Sequence, residues 1–168
     1  MSMKKLLTII TFLVIALFST ALAATIKAGI SVDKVPVSFF GCWQVYAQLE
    51  KTNNYSTFKP RSQDLWNLSR MGDVIKLENP FTRAHAQIEV KHTEGNVIVF
   101  YKESTFDNKL LKDTVTIRLN GDTFSGYNDV SLETLSLYDG HVLKRDTAKY
   151  FIKGKRLAGK SVLEKTKE

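Results

Sequence analysis

The chain has 168 residues, 43% of them hydrophobic, and its 24 Lys and Arg outnumber its 17 Asp and Glu, giving a net charge of +7. Its single cysteine, Cys42, excludes an intrachain disulfide and a Cys-x-x-Cys redox motif. The length suits one domain, and no stretch of altered composition marks a linker that would divide the chain into two.

Residues 1–23 have the order of a secretory signal peptide. Lys4 and Lys5 precede an apolar run from Leu6 to Phe18, and Ala21-Leu22-Ala23 supplies the small residues that a signal peptidase reads. Polar residues interrupt the apolar run early, which favours cleavage over the alternative of an uncleaved membrane anchor. We therefore expect a bacterial periplasmic or secreted protein with no stable membrane anchor after cleavage.

The first long predicted strand contains "FFGCWQV", residues 39–45. Alternation places Trp43 and Val45 on the core face, while Cys42 points the other way. Cys42 is expected to be a buried free thiol, or otherwise to form an intermolecular bridge in an oxidising compartment. If the sheet closes, this strand should pair with one near Tyr150–Ile152.

The remaining chain also alternates at period two. In "AHAQIEVKH", Ile88 and Val90 lie on one face and charged or polar residues on the other, and "TVTIRL" repeats the pattern with Val115, Ile117 and Leu119. This periodicity is typical of half-buried strands. We assign residues 24–38 to an N-terminal extension, 39–162 to the β-domain and 163–168 to a basic tail.

Tight-turn signals separate these strands and contain Gly72, Gly95, Asn120-Gly121, Asp139-Gly140 and Lys153-Gly154-Lys155. Glycine supplies the positive φ angles that short hairpins need. Successive hairpins predict an all-β fold, a single antiparallel meander of about eight or nine strands. Because exposed sheet edges must be hidden, the expected form is an up-and-down barrel, with a two-sheet sandwich as the alternative.

Gly41-Cys42-Trp43 resembles the Gly-x-Trp signature of the lipocalin and calycin barrels. In those families the tryptophan closes one end of the barrel, and an arginine near the last strand packs over it. The resemblance implies that Arg156, or else Arg145, takes that position. It also implies that the barrel holds a small apolar ligand.

Catalytic motifs are absent from the sequence. His85, His92 and His141 are expected to be surface-exposed, and no metal-ligand spacing, phosphate loop or nucleophile elbow occurs. The sequence therefore predicts a protein that is not an enzyme and uses no cofactor. An unrecognised hydrolase or isomerase activity is the alternative.

Two function classes follow. In the first, the barrel interior binds a small apolar or amphipathic ligand, because large rings line such cavities. The alternative for these rings is that they simply fill a solid core. The candidate ligand-binding residues are Trp43, Trp66, Phe100, Phe124 and Tyr150.

In the second class, the outer surface of a monomer binds an envelope or host macromolecule, with nucleic acid not expected. One candidate is the segment 51–60, in which Tyr55 and Phe58 stand among polar residues and could fold back as a lid. The other is the basic end of the chain, because residues 141–168 contain nine Lys and Arg but three Asp and Glu, a net of +6.

Overall fold

A computed structural model describes residues 32–157. The predicted signal peptide and basic tail lie outside the described residues. Two short 3-10 helices precede eight strands. The helices are Val32–Lys34 and Val37–Phe39, and the strands are β1 Gly41–Thr52, β2 Arg61–Met71, β3 Val74–Glu78, β4 His85–Glu94, β5 Val97–Phe106, β6 Lys109–Asn120, β7 Thr123–Leu135 and β8 Val142–Arg156.

The eight strands form one closed antiparallel barrel in which each strand pairs with its neighbours in sequence and β8 returns to β1. The predicted all-β meander and its closure as a barrel are therefore confirmed, and the sandwich alternative is wrong. The predicted partner of β1 is also confirmed, since Leu49 faces Tyr150 and Ala47 faces Ile152. Closure leaves no sheet edge free to pair with another chain.

The turn predictions are confirmed for the first four glycine signals. Gly72, Gly95, Gly121 and Gly140 all have φ between +56° and +73°. A further hairpin, between β5 and β6, turns at Asp107, whose φ is +52°. Asp tolerates this left-handed conformation better than most residues, so a turn formed without glycine was not predicted.

The predicted turn at Lys153-Gly154-Lys155 is wrong, because Gly154 lies inside β8. A Cβ atom at Gly154 would stand 2.1 Å from the Phe124 ring. The glycine is needed for close approach of a neighbouring ring in the core rather than for a change of chain direction.

The two ends of the barrel differ. At one end, which we call the Trp43 end, β1 begins and β8 finishes, and the segment before β1 contributes Val35 and Phe39 to the core. At the other, the loop end, four connections follow β1, β3, β5 and β7. They comprise residues 53–60, 79–84, 107–108 and 136–141.

Trp43 and Arg156 close the Trp43 end. Trp43 is completely buried, and its indole Nε1 donates to the carbonyl oxygen of Phe39 at 3.0 Å. The Arg156 guanidinium lies 4.1 Å from the ring centroid of Trp43 and donates to the carbonyl oxygens of Ser38 and Phe40. The arginine thus joins the last strand to the backbone preceding the first, and the predicted stacking of Arg156 on Trp43 is confirmed.

Gly41 and Cys42 are adjacent residues at the start of β1. Gly41 has φ +127°, and a Cβ atom there would lie 2.5 Å from Nη1 of Arg156, so a side chain would displace the guanidinium. Cys42 is a half-buried free thiol, and this partial burial raises its pKa above the ordinary value. The Arg156 guanidinium therefore needs the space that a residue without a side chain leaves, which explains the glycine at position 41.

Replacing Trp43 by Ala should destabilise the protein by about 3–5 kcal/mol, because a large ring in the core is lost together with its contacts to Arg156 and Phe124. Urea unfolding measures the change. Tyr46→Ala is the matched control, because Tyr46 is an exposed aromatic residue on the same strand. Similar losses in the two variants would contradict the role given to Trp43.

Candidate functional site

Four of the five predicted ligand-binding residues form one aromatic cluster inside the barrel. The Trp43 and Phe124 ring centroids are 5.1 Å apart, Trp66 stacks on Phe124 at 5.9 Å, and Phe100 meets Trp66 edge-on at 6.1 Å. Phe39 continues the cluster, with its ring 5.7 Å from Phe100. These rings pack against one another, as side chains do in the cores of small barrels.

Tyr150 lies apart from this cluster and contacts the loop end instead. Its ring is 6.5 Å from that of Phe58, and its hydroxyl donates to the carbonyl oxygen of Lys59 at 3.1 Å. Phe58 is buried although its loop neighbour Tyr55 is exposed. The segment therefore folds back over the barrel with Phe58 pointing into the core.

Asp146 of β8 holds this segment in place. Its Oδ2 accepts hydrogen bonds from the Asn54 amide at 3.1 Å and the Thr57 hydroxyl at 2.9 Å. The Lys144 ammonium donates to the same oxygen at 2.8 Å, and this bond, more than the two from the loop, lowers the pKa of Asp146. An ionised carboxylate thus tethers residues 53–60, which we call the Phe58 loop.

A polar group of three side chains, one buried and two half-buried, lies inside the barrel on strands β5, β6 and β7. Asp113 is almost fully buried and accepts from the Lys102 ammonium at 2.5 Å and from the Asn128 amide at 3.0 Å. Asn128 stands opposite Tyr150, next to the Phe58 contact. Its Oδ1 is buried and has no hydrogen-bond partner within residues 32–157. An acceptor left unpaired in the interior is costly, so its presence needs a reason.

A cavity of about 150 Å³ lies at the loop end and is lined by Lys102 of this polar group, but not by Asp113 or Asn128. Trp66, Leu77 and Ala86 supply apolar walls, and Lys102 reaches the cavity from the polar group. Asp64 also contributes, with its carboxylate accepting from the Trp66 indole at 3.0 Å. A volume of this size admits only a compact molecule.

The outer surface has a larger groove, of about 680 Å³, that the sequence did not reveal as one site. The groove is lined both by the start of segment 51–60 and by the basic strand β8, because Lys51 faces Lys149 where β1 pairs with β8. Beside it, Glu133 is buried and bonded to Lys112 and Arg145. The hydrogen bond from Lys112 is the main cause of the lowered pKa of Glu133.

The histidine prediction is confirmed, since His85, His92 and His141 are all exposed. Within residues 32–157 no group of three His, Cys, Asp or Glu could hold a metal ion. No helix in that part of the chain is long and apolar enough to cross a membrane.

Comparisons of the chain with models of protein families, with curated proteins and with solved structures find no match.

Replacing Asp146 by Ala should free the Phe58 loop. Amides of residues 54–58 should exchange hydrogen about tenfold faster at neutral pH, because the hydrogen bonds from Asn54 and Thr57 are lost. Hydrogen exchange with mass spectrometry measures this. Because folding lowers the pKa of Asp146, the tether is complete above the ordinary value of 3.8 and weakens as pH falls below it.

Asp139→Ala is the matched control for that experiment. Asp139 also belongs to the loop end and also has a lowered pKa, chiefly because of a hydrogen bond from Ser136. It bonds to Ser136 and His141 rather than to the Phe58 loop. Equal acceleration of exchange in both variants would contradict a specific tether at Asp146.

Proposed function

We propose that this protein is a non-enzymatic barrel that binds a compact amphipathic ligand at its loop end, beneath the Phe58 loop. The observation that supports the proposal most strongly is the unpaired Oδ1 of Asn128, buried beside Tyr150. A ligand that donates a hydrogen bond would satisfy this oxygen. The Phe58 ring packs against Tyr150, the residue that faces Asn128.

The chemistry of the ligand follows from the surrounding side chains. An apolar ring or short chain would pack on Trp66 and Leu77 in the cavity. Asn128 does not line the cavity, so a hydroxyl or N–H group would have to extend past Lys102 and Asp113 to reach its Oδ1. The cavity alone is smaller than the sites of drug-sized ligands. Outward movement of Phe58 would add the space of one phenyl ring.

The kinship with lipocalin and calycin barrels is part of the same proposal. It is supported by the Gly41–Trp43 motif and by the stacking of Arg156 on the indole. The filled aromatic cluster argues for a ligand site nearer the loop end than Trp43 and Phe124. Of the residues predicted from sequence, Trp66 lines the cavity, and Tyr150 packs against Phe58 of the covering loop.

Phenol is a suitable probe, because its ring has the size of the Phe58 side chain and its hydroxyl can donate to Asn128. We expect phenol to bind, and Phe58→Ala to strengthen binding about tenfold because the loop no longer competes with the ligand. Titration followed by two-dimensional NMR measures both affinities and maps the shifted residues.

Tyr55→Ala is the control, since Tyr55 is exposed on the same loop and should leave the affinity unchanged. Asn128→Leu should weaken phenol relative to benzene, which has no donor. Equal phenol affinities of the Phe58→Ala and Tyr55→Ala variants would refute the loop-end site. Chemical-shift changes confined to residues remote from Trp66 and Asn128 would refute it as well.

A second candidate function uses the outer groove. Lys51 and Lys149 on its floor, with Lys153 further along β8, favour an anionic polysaccharide, and Tyr127 and Phe151 stand in contact with the two β8 lysines. This candidate is favoured by one observation: the segment 51–53 and the basic strand, which are far apart in sequence, line a single groove.

Heparin is the probe for this groove. Lys51→Gln with Lys149→Gln should weaken heparin binding and reduce its dependence on salt, because two cations that face the polymer are removed. Calorimetry at two salt concentrations gives both quantities. The control pair, Lys34→Gln with Lys76→Gln, removes the same charge from the first 3-10 helix and from β3, which do not line the groove. Equal weakening by the two pairs would exclude a specific groove.

A further inference from the structure

Every connection at the loop end presents a large apolar or aromatic side chain, or has one at its edge. Tyr55 is 75% exposed, Phe81 84% and Leu137 85%, while Tyr138 is fully exposed. Phe106, the last residue of β5, is also exposed beside the β5–β6 turn. Residues so large and so exposed, gathered by the topology at one end of the barrel, need a partner surface.

Three cations follow these side chains closely in the sequence, and they outnumber Asp107 and Asp139, the two acidic residues of the same four connections. Lys59 follows Tyr55 in one connection, Arg83 follows Phe81 in the next, and Lys109 comes after Phe106. The Lys109 ammonium lies 6.0 Å from the ring of Phe106.

Among the ion pairs within residues 32–157, none involves Lys59, Arg83 or Lys109. All three side chains are exposed to solvent near the loop tips.

We propose that the loop end docks on the surface of an anionic lipid bilayer. Aromatic and apolar tips would enter the boundary between headgroups and acyl chains, where amphipathic rings are favoured. The adjacent cations would lie at the level of the lipid phosphates and be attracted by the negative surface potential. The combination of exposed rings and unpaired cations at one end fits this partner better than an uncharged apolar protein face.

Docking of this kind is peripheral, and it places the candidate ligand site next to the membrane. Within the Phe58 loop, Tyr55 is exposed at the tip and Phe58 is buried against Tyr150. A ligand dissolved in the bilayer would therefore meet this loop first. Docking stands independently of ligand binding, because the tip residues do not line the cavity beside Trp66.

Sedimentation with vesicles of phosphatidylcholine and phosphatidylglycerol tests the proposal. We expect the protein to bind vesicles rich in phosphatidylglycerol and to be released by high salt. The variant with Phe81→Ser and Tyr138→Ser should bind about tenfold more weakly, because two apolar tips no longer enter the interface. The variant with Lys59→Gln and Arg83→Gln should lose the preference for the anionic lipid.

The opposite end of the barrel provides the control. Val37 and Met71 are exposed apolar residues at the Trp43 end, so Val37→Ser with Met71→Ser should leave vesicle binding unchanged. Circular dichroism confirms that each variant is folded. Equal loss with this control, or no binding to anionic vesicles, would overturn the proposal. Dimers in solution that Phe81→Ser and Tyr138→Ser abolish would also overturn it, since a second copy would then be the partner.

Discussion

The pairing of the first strand with the last is the constraint on which the structure depends. It converts a meander with two free edges into a closed ring, and it is secured where Arg156 reaches across to the backbone before β1 and covers Trp43. The residues that make this contact are more than a hundred positions apart in sequence. Because closure defines an inside, it also decides which alternating face of each strand becomes the core.

Closure gives the two ends of the barrel different chemistry. The Trp43 end is filled by rings that contact one another and is covered by the N-terminal helices and the guanidinium of Arg156. The loop end instead buries Asp113 and the Oδ1 of Asn128. It is covered by residues 53–60, which are held by Asp146, by the Tyr150 hydroxyl and by hydrogen bonds between Asn53 and β8. The end filled by packed rings therefore lies opposite an end covered by a loop.

The fold was accessible from the sequence because strand periodicity and glycine turns are local signals. Trp43 and Val45 were placed on the core face by alternation alone, and four glycine turns were located correctly. Gly154 was misplaced because a glycine that makes room for a ring looks the same in sequence as one that forms a turn. Asp107 was missed for the converse reason, since it forms a turn without glycine.

The sequence by itself determined the strands, most of their turns and their inward faces, because each of these depends on neighbours a few residues away. The closing role of Trp43 came instead from the resemblance of Gly41-Cys42-Trp43 to a family motif. Only the tertiary structure decided what meets across the barrel. It separated Tyr150 from the aromatic cluster, placed Phe58 against Tyr150, and joined Lys102, Asp113 and Asn128 in one polar group. The register and stagger of strands around a closed barrel set these contacts, and neither is encoded in the spacing of residues along a single strand.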